Sequence, residues 1–138
     1  MTTIVLNKDS MTIIREQDVV PFRNRVKEYA TKIGMSLVNQ TKLITGASEL
    51  VRNMLKYGKG GIVYIEVVSR GRDNGIRLIF EDKGPGIANI EQAMKDGFTT
   101  GRSLGLGLPG TKRLMNEFDI ISEVGEGTKV TVIKWKNG

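Results

Sequence analysis

The chain has 138 residues, 21 of them lysine or arginine and 15 aspartate or glutamate, giving a formal charge of +6. That length suits one domain, residues 1–138, with enough chain to bury a core without staples. Cysteine and histidine are both absent, which excludes disulfides, thiolate and imidazole zinc sites, and phosphohistidine chemistry on this chain.

The basic residues are scattered, and the densest excess, Arg70 with Arg72, falls in an expected turn. Scattered charge points to an acidic protein or a nucleotide as partner, not to nucleic acid. No leader pattern is visible, and no apolar run approaches the roughly 20 residues of a membrane span. A cytoplasmic protein is expected.

Residues 3–6 and 11–15 read as two short edge strands separated by a polar break at 7–10. Asp18 then opens a helix, with Pro21 in the first turn, where a missing N–H costs nothing. Val19, Phe22, Val26, Tyr29 or Ala30, and Ile33 recur at helical steps, and Gly34 ends the run. A second helix is expected over about 36–56, burying Leu43, Ala47, Leu50 and Met54. Helical periodicity places Gly46, Glu49 and Asn53 together on one flank of that stripe. A bland surface flank would carry lysines and glutamates there, and no glycine.

A glycine-rich stretch at 57–61 breaks the helix. Residues 62–68 and 76–80 are β-branched strands joined across a turn at 72–75, and Asp82 ends the second of them. A short helix is expected at 89–95 and an aperiodic loop at 96–104. A third long helix follows at 108–118, opened by Gly107 with Pro109 in its first turn. Residues 120–124 and 128–135 then close the chain as a hairpin. This order predicts a two-layer α/β sandwich: one mixed, mostly antiparallel sheet with helices on one face.

Three segments carry candidate chemistry. Glu49 and Asn53 stand at i and i+4 and project side by side. An asparagine oxygen suits a hard cation, and Mg²⁺ takes one or two protein ligands beside substrate phosphates. A neighbouring glutamate can orient or deprotonate a nucleophile. Alone, the pair also fits a solvated glutamate and a helix-breaking asparagine. Asp82 at a strand end can accept from an exocyclic amine such as that of adenine, and Gly84 and Gly86 let backbone pass close to a flat ring. Alone, this is also a turn, and it is neither a dinucleotide fingerprint nor a P-loop. The glycines at 101, 105, 107 and 110 feed a helix N-terminus whose free N–H groups suit phosphates, with Arg102 and Lys112 adding charge. Alone, this is also a flexible loop.

Taken in order, the segments resemble the N box (Glu49 to Asn53) and the two glycine boxes (82–86 and 105–110) of the GHKL ATPase/kinase superfamily. That superfamily includes gyrase, the heat-shock ninety chaperones, histidine kinases and MutL-type repair proteins, and has the Bergerat ATP-binding fold. Residues 125–128 resemble its last pocket element, a threonine near the adenine-binding aspartate. The likeness spans nearly the whole chain. In 48–53, 81–87, 96–100 and 105–115 it narrows to the serine/threonine kinases of bacterial partner-switching modules. The best fit is the RsbT-type switch kinase of the stressosome, with the RsbW and SpoIIAB anti-sigma-factor kinases as relatives.

The resemblance implies roles residue by residue. Asn53 would hold Mg²⁺ between the phosphates of ATP, and Glu49 would be general base toward the substrate hydroxyl. Asp82 would bind the adenine amine, with Thr128 close by through water, and Gly84 and Gly86 would pass the ring. Thr99, Thr100, Gly101, Arg102, Gly105, Leu106, Gly107 and Leu108 would belong to a lid over the phosphates, with Arg102 a candidate phosphate contact. The implied reaction is γ-phosphoryl transfer to a serine or threonine of a STAS-domain protein, with a phosphatase or sigma factor as alternate partner and no part for nucleic acid or membrane. The alternative is a binding module, anti-sigma-factor-like or phosphatase-activating, in which nucleotide mainly tunes partner affinity.

Overall fold

A computed structural model describes residues 1–95 and 107–138. The elements are β1 (Thr3–Ile13), a single 3-10 turn (Glu16–Asp18), α1 (Val19–Lys32), α2 (Leu37–Gly58), β2 (Gly61–Arg70), β3 (Asp73–Asp82), α3 (Ile90–Ala93), α4 (Gly107–Leu114), β4 (Glu117–Glu123) and β5 (Gly127–Trp135). The five strands form one sheet in the order β1-β2-β3-β5-β4. Every neighbouring pair is antiparallel, where a mixed sheet was expected. Connectivity explains this. Two helices lie between β1 and β2, so the chain reverses three times and β2 runs back along β1. Between β3 and β5 lie α3, α4 and then β4, and β5 again runs opposite to β3.

The helices cover one face of the sheet. Phe22, Val26 and Ala30 of α1 and Leu43, Ala47, Leu50, Val51 and Met54 of α2 pack onto Val63 and Ile65 of β2, Ile76, Leu78 and Phe80 of β3, and Val130 and Val132 of β5. Phe22 meets Phe80 edge-on, with centroids 5.9 Å apart. The opposite face is tied by side chains. Arg77 Nε donates to Glu66 at 2.6 Å, and Lys8 reaches the same carboxylate at 3.8 Å. Arg70 pairs with Glu117 and stacks on the Trp135 ring at 4.9 Å.

Three element boundaries differ from expectation. The two short N-terminal strands are one strand of 11 residues, with a register shift between Val5 and Asn7. Its polar middle is tolerated because β1 is an edge strand, and because Asp9 accepts from Arg25 at 2.7 Å and from the Tyr29 hydroxyl at 2.9 Å. The β2–β3 turn is Gly71 and Arg72, since Arg70 pairs with Asp73. Gly75, expected in the turn, is a strand residue whose missing Cβ leaves room for the Trp135 ring. The third helix stops at Leu114 instead of running to 118. Asn116 donates its N–H to the Ile133 carbonyl at 3.0 Å, and its Oδ1 accepts from the Trp135 N–H at 2.8 Å. Those bonds start β4, which takes Glu117 and Phe118.

The other helices lie close to expectation. Ser36 caps α2, its hydroxyl accepting from the Asn39 N–H. Asp18 does not cap α1 and instead accepts from the N–H groups of Ile14 and Arg15. The loop expected at 96–104 lies outside the described residues. No helix among the described residues is long and apolar enough to cross a membrane.

Candidate active site

The C-terminal half of α2, the end of β3, the start of β5 and the first turn of α4 surround a cavity of about 440 Å³. Leu50, Met54, Phe80, Ile87, Leu108, Ile120 and Val130 make its apolar walls, and Asn53, Asp82 and Thr128 are polar groups within it. Apolar walls with a few placed polar groups are what a flat heterocycle needs.

Asp82 is the last residue of β3 and lies opposite Thr128 of β5. Its Oδ1 accepts from the Gly84 N–H at 2.9 Å, which fixes the carboxylate orientation. The end of α2 presses on it from the other side. A Cβ on Gly58 would run into the Asp82 carboxylate, 2.6 Å from Oδ2. Gly58 has no positive φ. Glycine is needed there for space and not for backbone conformation. Lys59 takes the left-handed conformation after it (φ 60°), closing α2 with an N–H bond to the Met54 carbonyl.

The glycines at 84 and 86 also have packing roles. Gly84 lies outside the cavity lining, and a Cβ there would sit 2.6 Å from the Gly58 Cα. Gly86 does line the cavity. It has φ +78°, and a Cβ would strike the Glu123 carbonyl. The two glycines let the turn after Asp82 dock against α2 on one side and β4 on the other.

On α2, Gly46, Glu49 and Asn53 share the flank that α4 closes over. A Cβ on Gly46 would meet Met115 and, at 3.4 Å, Thr111 Cγ2. Glu49 is only 2 % exposed, and its Oε1 has no hydrogen-bond partner among the described residues. A buried carboxylate oxygen without a partner is costly, so one expects it to serve something that arrives. Asn53, one turn further on, lines the cavity, whereas Glu49 does not. Gly107 and Leu108 open α4 at the cavity wall, placing a helix N-terminus there. Thr99, Thr100, Gly101, Arg102, Gly105 and Leu106 lie outside the described residues.

The sequence reading missed Tyr57, Gly58 and Ser122. Tyr57 and Gly58 line the cavity, but the stretch 57–61 reads as a helix break. Ser122 carries no motif. Only the pairing of β4 with β5 brings its hydroxyl to Thr128, 2.7 Å away.

Residues 38–137 match the family described as histidine kinase-, DNA gyrase B-, and HSP90-like ATPases. The chain belongs to this family. The ATPase-family chain is 44 % identical to the serine/threonine-protein kinase RsbT of Bacillus subtilis over 94 % of its own length and 97 % of that protein's. An anti-sigma F factor of Anoxybacillus flavithermus is 34 % identical over 81 % of the chain and 80 % of that protein. Within the family, this ATP-using chain is therefore a serine/threonine protein kinase of the partner-switching kind. The crystal structure of the RsbU and RsbW domains of Rv1364c from Mycobacterium tuberculosis superposes with a TM-score of 0.66 at 19 % identity. It covers 93 % of this chain and 31 % of that one, and supports the fold.

Proposed function

We propose that residues 1–138 act as one catalytic domain that transfers the γ-phosphoryl group of ATP to a serine or threonine of a STAS-domain protein in the cytoplasm, releasing that partner and freeing the kinase for another, a phosphatase or a sigma factor. The observation that carries this reading is the buried Glu49 Oε1, without a partner among the described residues, one helical turn before Asn53 at the wall of an apolar cavity that ends on Asp82.

Each residue has a separate task. The Asp82 carboxylate, held by the Gly84 N–H, accepts from the adenine amine. Leu50, Met54, Phe80 and Val130 sandwich the ring and exclude water. Thr128 completes the polar end of the base site beside Asp82. The amides at the start of α4, at Gly107 and Leu108, face the phosphates, with Arg102 a candidate phosphate contact. Mg²⁺, when bound, supplies charge neutralisation between the phosphates, and the Asn53 carboxamide oxygen would hold it. Glu49 takes the proton of the attacking hydroxyl on Oε1, the atom left open for it. Phosphoryl transfer asks for little covalent help, so positioning and one base suffice.

Glu49→Gln tests the assignment while keeping volume and burial. Transfer of labelled phosphate to a STAS-domain protein of the same organism should fall by roughly 100-fold or more, with ATP affinity by calorimetry close to that of the unaltered chain. Transfer at the unaltered rate would remove Glu49 from the chemistry.

A further inference from the structure

Ser122, Thr128 and Asp82 form one row across β4, β5 and β3, since Ser122 pairs with Thr128 and Thr128 with Asp82. Thr128 and Asp82 line the cavity; Ser122 does not, and borders a neighbouring groove that Asp82 and Thr128 also line. Among the described residues the Ser122 hydroxyl has three partners. The Ile87 N–H donates to its Oγ at 2.7 Å. The Gly127 carbonyl lies at 3.0 Å and the Thr128 hydroxyl at 2.7 Å.

Proton counting decides their directions. A serine hydroxyl gives one proton and accepts two. The Ile87 amide is only a donor, and the Gly127 carbonyl is only an acceptor. All three contacts are hydrogen bonds in a single arrangement: Ser122 donates to Gly127 and accepts from both Ile87 and Thr128. In the reverse arrangement, with Ser122 donating to Thr128, the Gly127 carbonyl faces an oxygen lone pair at 3.0 Å. The Thr128 proton therefore points at Ser122, and only lone pairs of Thr128 Oγ1 remain for the cavity.

We propose that Ser122 is a specificity-determining, positioning residue. By taking the Thr128 proton, it makes the base-recognising end of the cavity a surface of acceptors, Asp82 and Thr128, which selects 6-amino purines over 6-oxo purines. This rests on reading the cavity as the nucleotide site. A 6-amino group brings two N–H donors to that surface. A 6-oxo group brings lone pairs against lone pairs, and a buried mismatch of this kind is the strongest form of discrimination by hydrogen bonding. Were the Thr128 proton free, the hydroxyl would rotate and donate to the 6-oxo oxygen, and the discrimination would weaken.

Calorimetry of the full chain with ATP and with ITP tests this. Ser122→Ala should move the ATP-to-ITP affinity ratio toward ITP by about tenfold. Ser122→Thr, which keeps the hydroxyl on a β-compatible side chain, should restore the unaltered ratio. In a Thr128→Val background, Ser122→Ala should leave the ratio unmoved, because no hydroxyl remains to be freed. Should the alanine variant not fold, Ser122→Cys keeps the volume with a weak donor and acceptor, and should shift the ratio in the same direction. A ratio unchanged in the alanine or cysteine variant, with both affinities and thermal stability falling in parallel, would make Ser122 a brace for the turn and overturn the proposal. Failure of the unaltered chain to bind ATP would overturn the site reading, and this proposal with it. Normal ATP binding with an immovable ratio overturns this proposal alone.

Discussion

Gly58→Ala separates the fold from the site at a single methyl group. The backbone at 58 does not require glycine, because φ is not positive there. Alanine is the better helix former by up to about 1 kcal/mol, less at a last helical residue, so nothing in α2 itself opposes the change. What opposes it is Asp82, whose Oδ2 would lie 2.6 Å from the new Cβ. The carboxylate must retreat by roughly 1 Å to reach ordinary van der Waals separation. The Gly84 N–H bond, now 2.9 Å, and the aim at the adenine amine are then both degraded. Losing one hydrogen bond to a charged group removes about 1.5–3 kcal/mol, so the dissociation constant for ATP should rise by roughly 10- to 100-fold. The melting temperature should move by no more than a few degrees. The assays are calorimetry with ATP and a thermal melt without it. In an Asp82→Asn background, itself weak for ATP, the alanine should add almost nothing. Unchanged ATP affinity in Gly58→Ala would refute the reasoning, as would a full additive loss in the double variant.

Two further outcomes are expected. Gly127→Ala should lower stability by about 3 kcal/mol, because φ is +121° and the Cβ would strike the Asp82 carbonyl; a melt unchanged within a degree would contradict this. The acid limb of stability should depend on Asp9, which the Arg25 guanidinium and the Tyr29 hydroxyl hold below the usual carboxylate range. A depressed folded-state pKa contributes stability above the unfolded value and loses it as pH falls through the folded one. Asp9→Asn should therefore destabilise the protein near neutral pH, with the gap beginning to close near about pH 4 and vanishing once pH lies below the depressed folded value, in melts followed across pH. A constant gap down to pH 2 would rule out the ion pair as its source.

The parts of the site that lie close along the chain were legible because helical and strand periodicities are local. Glu49 and Asn53 fall on one flank of α2 by spacing alone, and Asp82 was recognisable as a strand end. The β1 and α4 boundaries were misread for one reason. Local pattern cannot see which backbone groups find partners across the sheet. Edge pairing with β2 holds the polar middle of β1 in register, and the Asn116 bonds to β5 end the helix that periodicity would have continued.

Sequence by itself determined the kind of chemistry available: no thiol, no imidazole, one carboxylate beside one amide, an aspartate ahead of glycines, and a glycine run before a helix. Tertiary structure decided which atoms face one another. It made the glycines at 58, 84 and 86 packing contacts that hold Asp82 and its turn in place. It buried Glu49 without a partner among the described residues, and it brought Ser122 behind Thr128. Apart from the six-residue step between Ser122 and Thr128, those facts arise from contacts between residues tens of positions apart, where close packing and hydrogen-bond saturation, rather than propensity, select the arrangement.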